Sequence, residues 1–177
     1  MFFIPGQLIA LATFPGVIVH EMAHQLFCRL TRTAILDVCY FRFGNPAGYV
    51  IHETPLRVSQ HLLIGLGPFF VNSFLGALIA LPGVIPVLQF EAGTPMDYAF
   101  VWLGLSIAMH AFPSTGDAKS MWKAIKTPGT SVAIRLVGMP LVGAIYLGAL
   151  GSVVWLDLAY GVALAFSLPT VLISLFG

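Results

Sequence analysis

Long apolar runs separated by short polar breaks set the plan of this chain. Residues 2–28 are apolar apart from Gln7, Gln25 and the run His20-Glu21-Met22-Ala23-His24. No Asp, Glu, Lys or Arg occurs between Arg57 and Glu91, and further apolar runs cover about 98–113, 134–156 and 158–176. A membrane crossing takes roughly 20 apolar residues, so the pattern predicts about five transmembrane helices. The first is kinked at Pro15-Gly16. The second carries Gly67-Pro68 within it and Pro82 and Pro86 near its far end. Residues 35–52 differ in kind. ILDVCYFRF and YVIH are rich in β-branched and aromatic residues, and GNPAG between them is a strong turn signal. They predict a β-hairpin on the membrane surface. The segment PSTGDAKSMWKAIKTPG predicts a helix that unwinds at Pro113–Gly116 and restarts as a short interfacial helix. The fold class is therefore an all-α polytopic membrane protein with one membrane-surface hairpin after its first helix. It is read as a single transmembrane domain over residues 1–177.

Composition strengthens this reading. The chain is 58% hydrophobic and only 8% charged, against roughly 25% charged in soluble domains. No polar stretch is long enough to form a soluble appendage, and no nucleic-acid partner is expected. Charge distribution adds an orientation. Every basic residue lies in one of two stretches: Arg29, Arg32, Arg42 and Arg57, then Lys119, Lys123, Lys126 and Arg135. The other connections carry only Glu91 and Asp97, then Asp157. Basic loops stay in the cytoplasm. With five crossings this puts the N-terminus outside and the C-terminus and the His-rich face toward the cytoplasm. Tyr98, Trp102, Trp155 and Tyr160 then fall near the outer interface as an aromatic belt. Cys28 and Cys39 form no ligand-like cluster and are expected as free, buried thiols. The N-terminus has no basic run of a signal peptide, and Met1 is taken as the start of the mature chain.

The candidate chemistry lies in the first apolar run. Histidines at i and i+4 share one helix face and can reach one metal ion. Glu21 adjoins the first of them, placed to take a proton from a water that the metal activates. Ionisable groups inside a membrane segment are costly and mark function by default. A catalytic zinc wants three protein ligands. The third must come from Asp117, His110, His52, His61, Asp37 or Glu53. Asp117 follows a helix break that can turn its carboxylate back toward the bundle; as an alternative it is the N-terminal cap of the next helix. His110 fits better as a partner that orients a ligand, or as a transition-state donor. His52 and His61 sit at membrane–loop boundaries, where histidines are ordinary. Asn72 is either an interhelical hydrogen-bonding residue or a donor to substrate or ligand. Gly65, Gly67 and Gly76 read as close helix packing.

The intramembrane HExxH at 20–24, the segment HAFPSTGDA at 110–118 and the segment GLGPFFVNSFLGA at 65–77 together resemble the site-2 protease family of intramembrane zinc metalloproteases. The second segment is similar to the family's Asn/Pro-rich element ending in Leu-Asp-Gly, and the third to its Gly-Pro-x-x-Asn element. The hairpin at 35–52 is similar to the family's membrane-associated β-structure. The resemblance covers about residues 14–125, the catalytic core, and leaves 134–177 as accessory helices. Gly116-Asp117-Ala118 stands where the family has Leu-Asp-Gly, and three residues rather than two separate Pro68 from Asn72. No PDZ or CBS module is present. The resemblance implies hydrolysis of peptide bonds in or beside the membrane, with one catalytic Zn2+ held by His20, His24 and Asp117. Glu21 is then the general base, with His110 or Asn72 beside the oxyanion and the hairpin as the substrate-binding element. Its partners are a membrane protein or peptide substrate and the lipid bilayer, with room for a regulatory partner. Two other readings compete: a catalytically inactive zinc-binding scaffold or chaperone, and a metal transporter.

Overall fold

The apolar runs fold as helices around one long member. In a computed structural model describing residues 6–176, the side chains of 89, 168–170 and 172–176 excepted, the order is α1 (Gly6–Ala12), α2 (Phe14–Leu30), β1 (Ile35–Cys39), β2 (Tyr49–His52), α3 (Val58–Gln89), α4 (Pro95–Met109), α5 (Thr115–Lys126), α6 (Val132–Gly151) and α7 (Leu156–Phe176). Val58–Leu88 and Val132–Val154 are each long and apolar enough to cross a membrane, and the bent pair α1 and α2 adds a third if it is one broken span. The chain is thus a helical membrane protein with one small sheet. At 1.5 Å per residue α3 is about 48 Å long. It keeps its helix through Pro68, Pro82 and Pro86.

The other helices pack along the two halves of α3. α2 runs antiparallel to its first half: His24 meets the carbonyl of Ile64, and Gly16 meets Asn72. α4 runs antiparallel to its second half through small residues. A Cβ on Gly76 would lie 2.7 Å from Ala108, and one on Gly104 would lie 2.5 Å from the backbone of Ala80. This reciprocal pairing of small residues four apart lets the two backbones approach closely. Gly104→Val is therefore expected to destabilise the protein by about 1–3 kcal/mol, read as a lower thermal midpoint in detergent. Gly143→Val, at a position with open space around it, should leave the midpoint near wild type.

The last two helices depart from the expected alternation. α6 runs antiparallel to α5: Gly138 packs on Ile125, and Gly148 packs on Phe112 beyond the other end of α5. α7 then continues onward. Tyr160 meets Ser73 and Phe69, whereas Ala165 clusters with Ala80 and Val84 farther along α3. So α7 runs parallel to α3 and antiparallel to α4, and it leads away from the basic end of the bundle. The described helices offer two spans long and apolar enough to cross a membrane, or up to three, rather than the five expected, and α7 does not alternate with the helices before it. The expectation took Asp157 as the mark of an outer loop. Instead Asp157 is half-buried at the joint between α6 and α7, where its carboxylate accepts from the Leu158 N–H at 2.8 Å. The short 3-10 turn Ser152–Val154 at that joint lets the chain go on without reversing.

One of the four belt aromatics packs inward: the Tyr160 ring lies 5.0 Å from Phe112. Trp102 stays exposed and donates to the carbonyl of Ala12 at 3.1 Å. The hairpin forms where the turn signal predicts it. β1 and β2 pair antiparallel with Asp37 opposite Ile51, Val38 opposite Val50 and Cys39 opposite Tyr49. The Tyr40 hydroxyl donates to Gln25 at 2.6 Å and ties the hairpin to α2. Cys28 is buried, Cys39 half-buried, and both are free thiols.

Candidate metal centre

Placement of the HExxH starts at Thr13. The first helix does not kink at Pro15-Gly16; it breaks two residues before Pro15, at Thr13, with α1 and α2 bent by 88°. Pro15 instead falls in the first turn of α2, where a missing N–H has no partner to lose. Gly16 then presses on α4 so closely that any side chain would collide with the carbonyl of Ser106. From this anchor α2 carries His20, Glu21 and His24 into the interior, all buried.

Both imidazoles are fixed by backbone carbonyls. His20 Nδ1 lies 2.7 Å from the carbonyl oxygen of His110, and His24 Nδ1 lies 3.0 Å from that of Ile64. A carbonyl can only accept, so each Nδ1 donates and each Nε2 is left as the ligating atom. Such outer hydrogen bonds set the tautomer and orientation of metal-binding histidines. The ring centroids are 4.9 Å apart.

Asp117 reaches the same point from α5. Its Oδ2 accepts from the Ser114 N–H at 3.0 Å and from the Ser114 hydroxyl at 2.6 Å, while the Ser114 oxygen caps the Asp117 N–H at 3.1 Å. The same Oδ2 lies 3.5 Å from His24 Nε2. Cap and candidate ligand, alternatives in the sequence, are thus one arrangement. Burial pushes the carboxyl upward. The His24 hydrogen bond, the fields of His24 and His20 and the Ser114 hydroxyl outweigh it and hold Asp117 well below the ordinary carboxylate range. It is therefore an anion at neutral pH.

Among the described residues, His20, His24 and Asp117 are the group whose donor atoms could hold a metal ion, all within 4.8 Å of one another. Tetrahedral zinc with bonds of ~2.0–2.2 Å sets its ligand atoms about 3.4 Å apart. The His24–Asp117 pair is already at 3.5 Å, and the donor atoms of the group lie within 4.8 Å of one another. Two imidazoles and one carboxylate are a donor set that zinc accepts, with a fourth position left for water.

A cavity of about 360 Å³ opens beside the group, and His20, Glu21, His24 and Asp117 lie on its wall. The hairpin supplies the facing side through residues 46–50 and His52. Gly48 lies directly on Glu21: a Cβ there would come within 2.7 Å of the Glu21 Cγ and 2.9 Å of the Tyr40 carbonyl. Only glycine lets the hairpin lie this close to the glutamate.

The remaining candidates have other partners. His110 lines the cavity, but its Nε2 is 2.8 Å from the Thr13 hydroxyl. That hydroxyl donates to Ile9 at 2.7 Å, so it accepts from His110, and the ring pins the helix break. Asn72 is fully buried and donates to the carbonyls of Gly16 and Ile107 at 3.2 and 3.1 Å. It joins α2, α3 and α4 rather than lining the cavity. His52 Nδ1 donates to the Glu53 carbonyl, His61 pairs with Ser120, and Asp37 accepts from the Tyr49 hydroxyl. Glu53 is exposed. Sequence reasoning missed Ser114, Gly48 and the Ile64 and His110 carbonyls. Ser114-Thr115-Gly116-Asp117 is a capping pattern that could have been read; a carbonyl leaves no mark in a sequence.

No protein-family model, curated protein or solved structure matches this chain.

Proposed function

We propose that this protein is an intramembrane zinc metalloprotease that hydrolyses peptide bonds of membrane-embedded or membrane-proximal substrates. One observation carries the reading. Two histidines of an HExxH, each held through Nδ1 by a backbone carbonyl, turn Nε2 toward an anionic Asp117, with Glu21 beside them on an open cavity. An ion pair of His24 with Asp117 would occupy one Nε2 without a metal; the His20 Nε2 brought to the same point, with Glu21 on the adjoining cavity, is what a metal accounts for. The resemblance of the same residues to the site-2 protease motifs supports it.

When bound, zinc supplies Lewis acidity that lowers the pKa of a water toward about 7 and polarises a carbonyl. The chain's own residues do the rest. His20, His24 and Asp117 hold the ion. Glu21, on the cavity wall, takes the proton of the attacking water and returns it to the leaving amine. Among the described residues β2 pairs with β1 alone, which leaves its other edge without a strand, and Tyr49 and Val50 of β2 line the cavity. An extended substrate segment adds to that edge by main-chain hydrogen bonds. This offsets part of the cost of unwinding a helical substrate.

From the basic residues of the 29–57 and 119–135 stretches we infer that the hairpin, α5 and the metal centre face the cytoplasm. α7 then points the C-terminus to the opposite side, the side on which α3 ends.

The test uses the purified full chain in proteoliposomes. It should contain one zinc per chain and cut a model transmembrane peptide. Chelation should stop cleavage, and added zinc should restore it. Stoichiometric zinc with no product would identify a scaffold, and zinc flux across the vesicle would identify a transporter; either outcome defeats the protease.

A further inference from the structure

A second polar cavity, of about 330 Å³, lies between the start of α3 and the outer face of α5, separate from the metal centre. Arg57 and Lys123 enter it from these two elements, with His61, Ser120 and Thr127. His61 Nε2 and the Ser120 hydroxyl are 2.7 Å apart, so one end of the cavity is already organised as a polar pair. Neither cation has a carboxylate partner: the ion pair found among the described residues is that of His24 with Asp117. The Thr127 hydroxyl already donates to the Lys123 carbonyl at 3.3 Å, so the polar pair of His61 and Ser120 is what remains beside the two cations. Arg57 also occupies the N-cap of α3, where a guanidinium offers no acceptor to the first-turn N–H groups. Their partial positive charge adds to the same field. All of this favours an anion.

The surroundings say which anion. α3 is long and apolar enough to cross a membrane, so its first residue stands at the level of lipid headgroups. Leu56, also on the cavity, is 98% exposed, and Leu63, two turns along α3, is 49% exposed. An apolar side chain projecting beside a doubly cationic pocket suits a ligand with a phosphate at one end and acyl chains at the other. Basic pockets at helix ends on the cytoplasmic side recognise anionic lipid headgroups in this way.

We propose that the Arg57–Lys123 cavity is a binding site for the phosphate of an anionic phospholipid. The site joins α3 to α5, which carry Ile64 and Asp117 of the metal centre. Lipid bound there would brace the two helices that set that geometry.

Native mass spectrometry of the full chain released from detergent tests the site, with phosphatidylglycerol, phosphatidylcholine and inorganic phosphate as probes. The wild type should retain phosphatidylglycerol in preference to phosphatidylcholine. The double variant Arg57→Gln, Lys123→Gln should bind it about thirtyfold more weakly, for two interfacial cations. Arg29→Gln, Lys126→Gln removes the same charge elsewhere and should bind as the wild type does. Lys123→Glu, at an exposed position, gives a second reading should the double variant fold poorly, and it should also lose the lipid. Equal loss in the control variant would show general charge attraction and overturn the site. So would the absence of any preference over phosphatidylcholine. Inorganic phosphate held as tightly as the lipid would overturn the assignment to a phospholipid.

Discussion

Glu21→Gln is expected to leave zinc content at the wild-type level and to lower hydrolysis by about 10²–10⁴-fold, the range that a positioned general base contributes. Glutamine keeps the length and shape of glutamate, so the tight contact between Gly48 and the Glu21 Cγ survives the change. It does not touch the donor set, which is His20, His24 and Asp117. What it removes is the capacity to accept a proton. The outcome is read by metal analysis and by initial rates on a model transmembrane peptide, with both variants in the same lipid. Loss of zinc along with activity would make Glu21 a ligand and sink its role as base. Unchanged rates would sink the protease reading itself, because no other carboxylate among the described residues lines the cavity beside Asp117, which is committed to the metal group.

The site was legible in the sequence to the extent that its chemistry is written in spacing. An i, i+4 histidine pair with an adjacent glutamate specifies one helix face and therefore one metal, whatever surrounds it. Asp117 was legible as well, since a helix break before a carboxylate points either to a cap or to an inward turn. Here both hold at once because the Asp117 Oδ2 that accepts from Ser114 in the capping box is the same oxygen that faces His24. The hairpin was legible from GNPAG and its flanking β-formers. What escaped was direction. Apolar runs and charged breaks mark where helices stop, yet a break does not say whether the chain reverses. Asp157 looks like a loop charge, and in the structure it sits half-buried at a joint that the chain passes straight through. In the same way Tyr160 has the amphipathic character of a belt residue but spends its hydroxyl on Ser73 inside the bundle. Pro15 advertised a kink, and the bend came at Thr13 because a proline fits the first turn of a new helix better than the interior of an old one. Composition carries no information about these choices. They depend on which neighbours the small residues Gly16, Gly76 and Gly104 allow to approach.

Asp117 gives the second large effect, and its two roles can be separated. Asp117→Ala removes both the candidate zinc ligand and the partner of Ser114, so it should weaken zinc by more than about a hundredfold, beyond the loss seen for outer-shell partners alone. It should also cost about 1 kcal/mol of stability from the lost reciprocal half of the capping box, the bonds from Ser114 to Oδ2. Asp117→Asn divides these consequences. The amide oxygen can still accept from the Ser114 N–H, 3.0 Å from Oδ2 in the parent, so the thermal midpoint should return toward wild type. The negative charge is gone, and a neutral amide oxygen is a poor zinc donor, so zinc should stay weak. Competition with a chelator of known affinity measures the first quantity and detergent-phase melting the second. Were both variants to hold zinc as the wild type does, the third donor would have to be His110. Its ring would then need to leave Thr13, and the 88° break between α1 and α2 would lose a hydrogen bond that pins it. Thr13→Ala would then tighten zinc, whereas with Asp117 as ligand it should not.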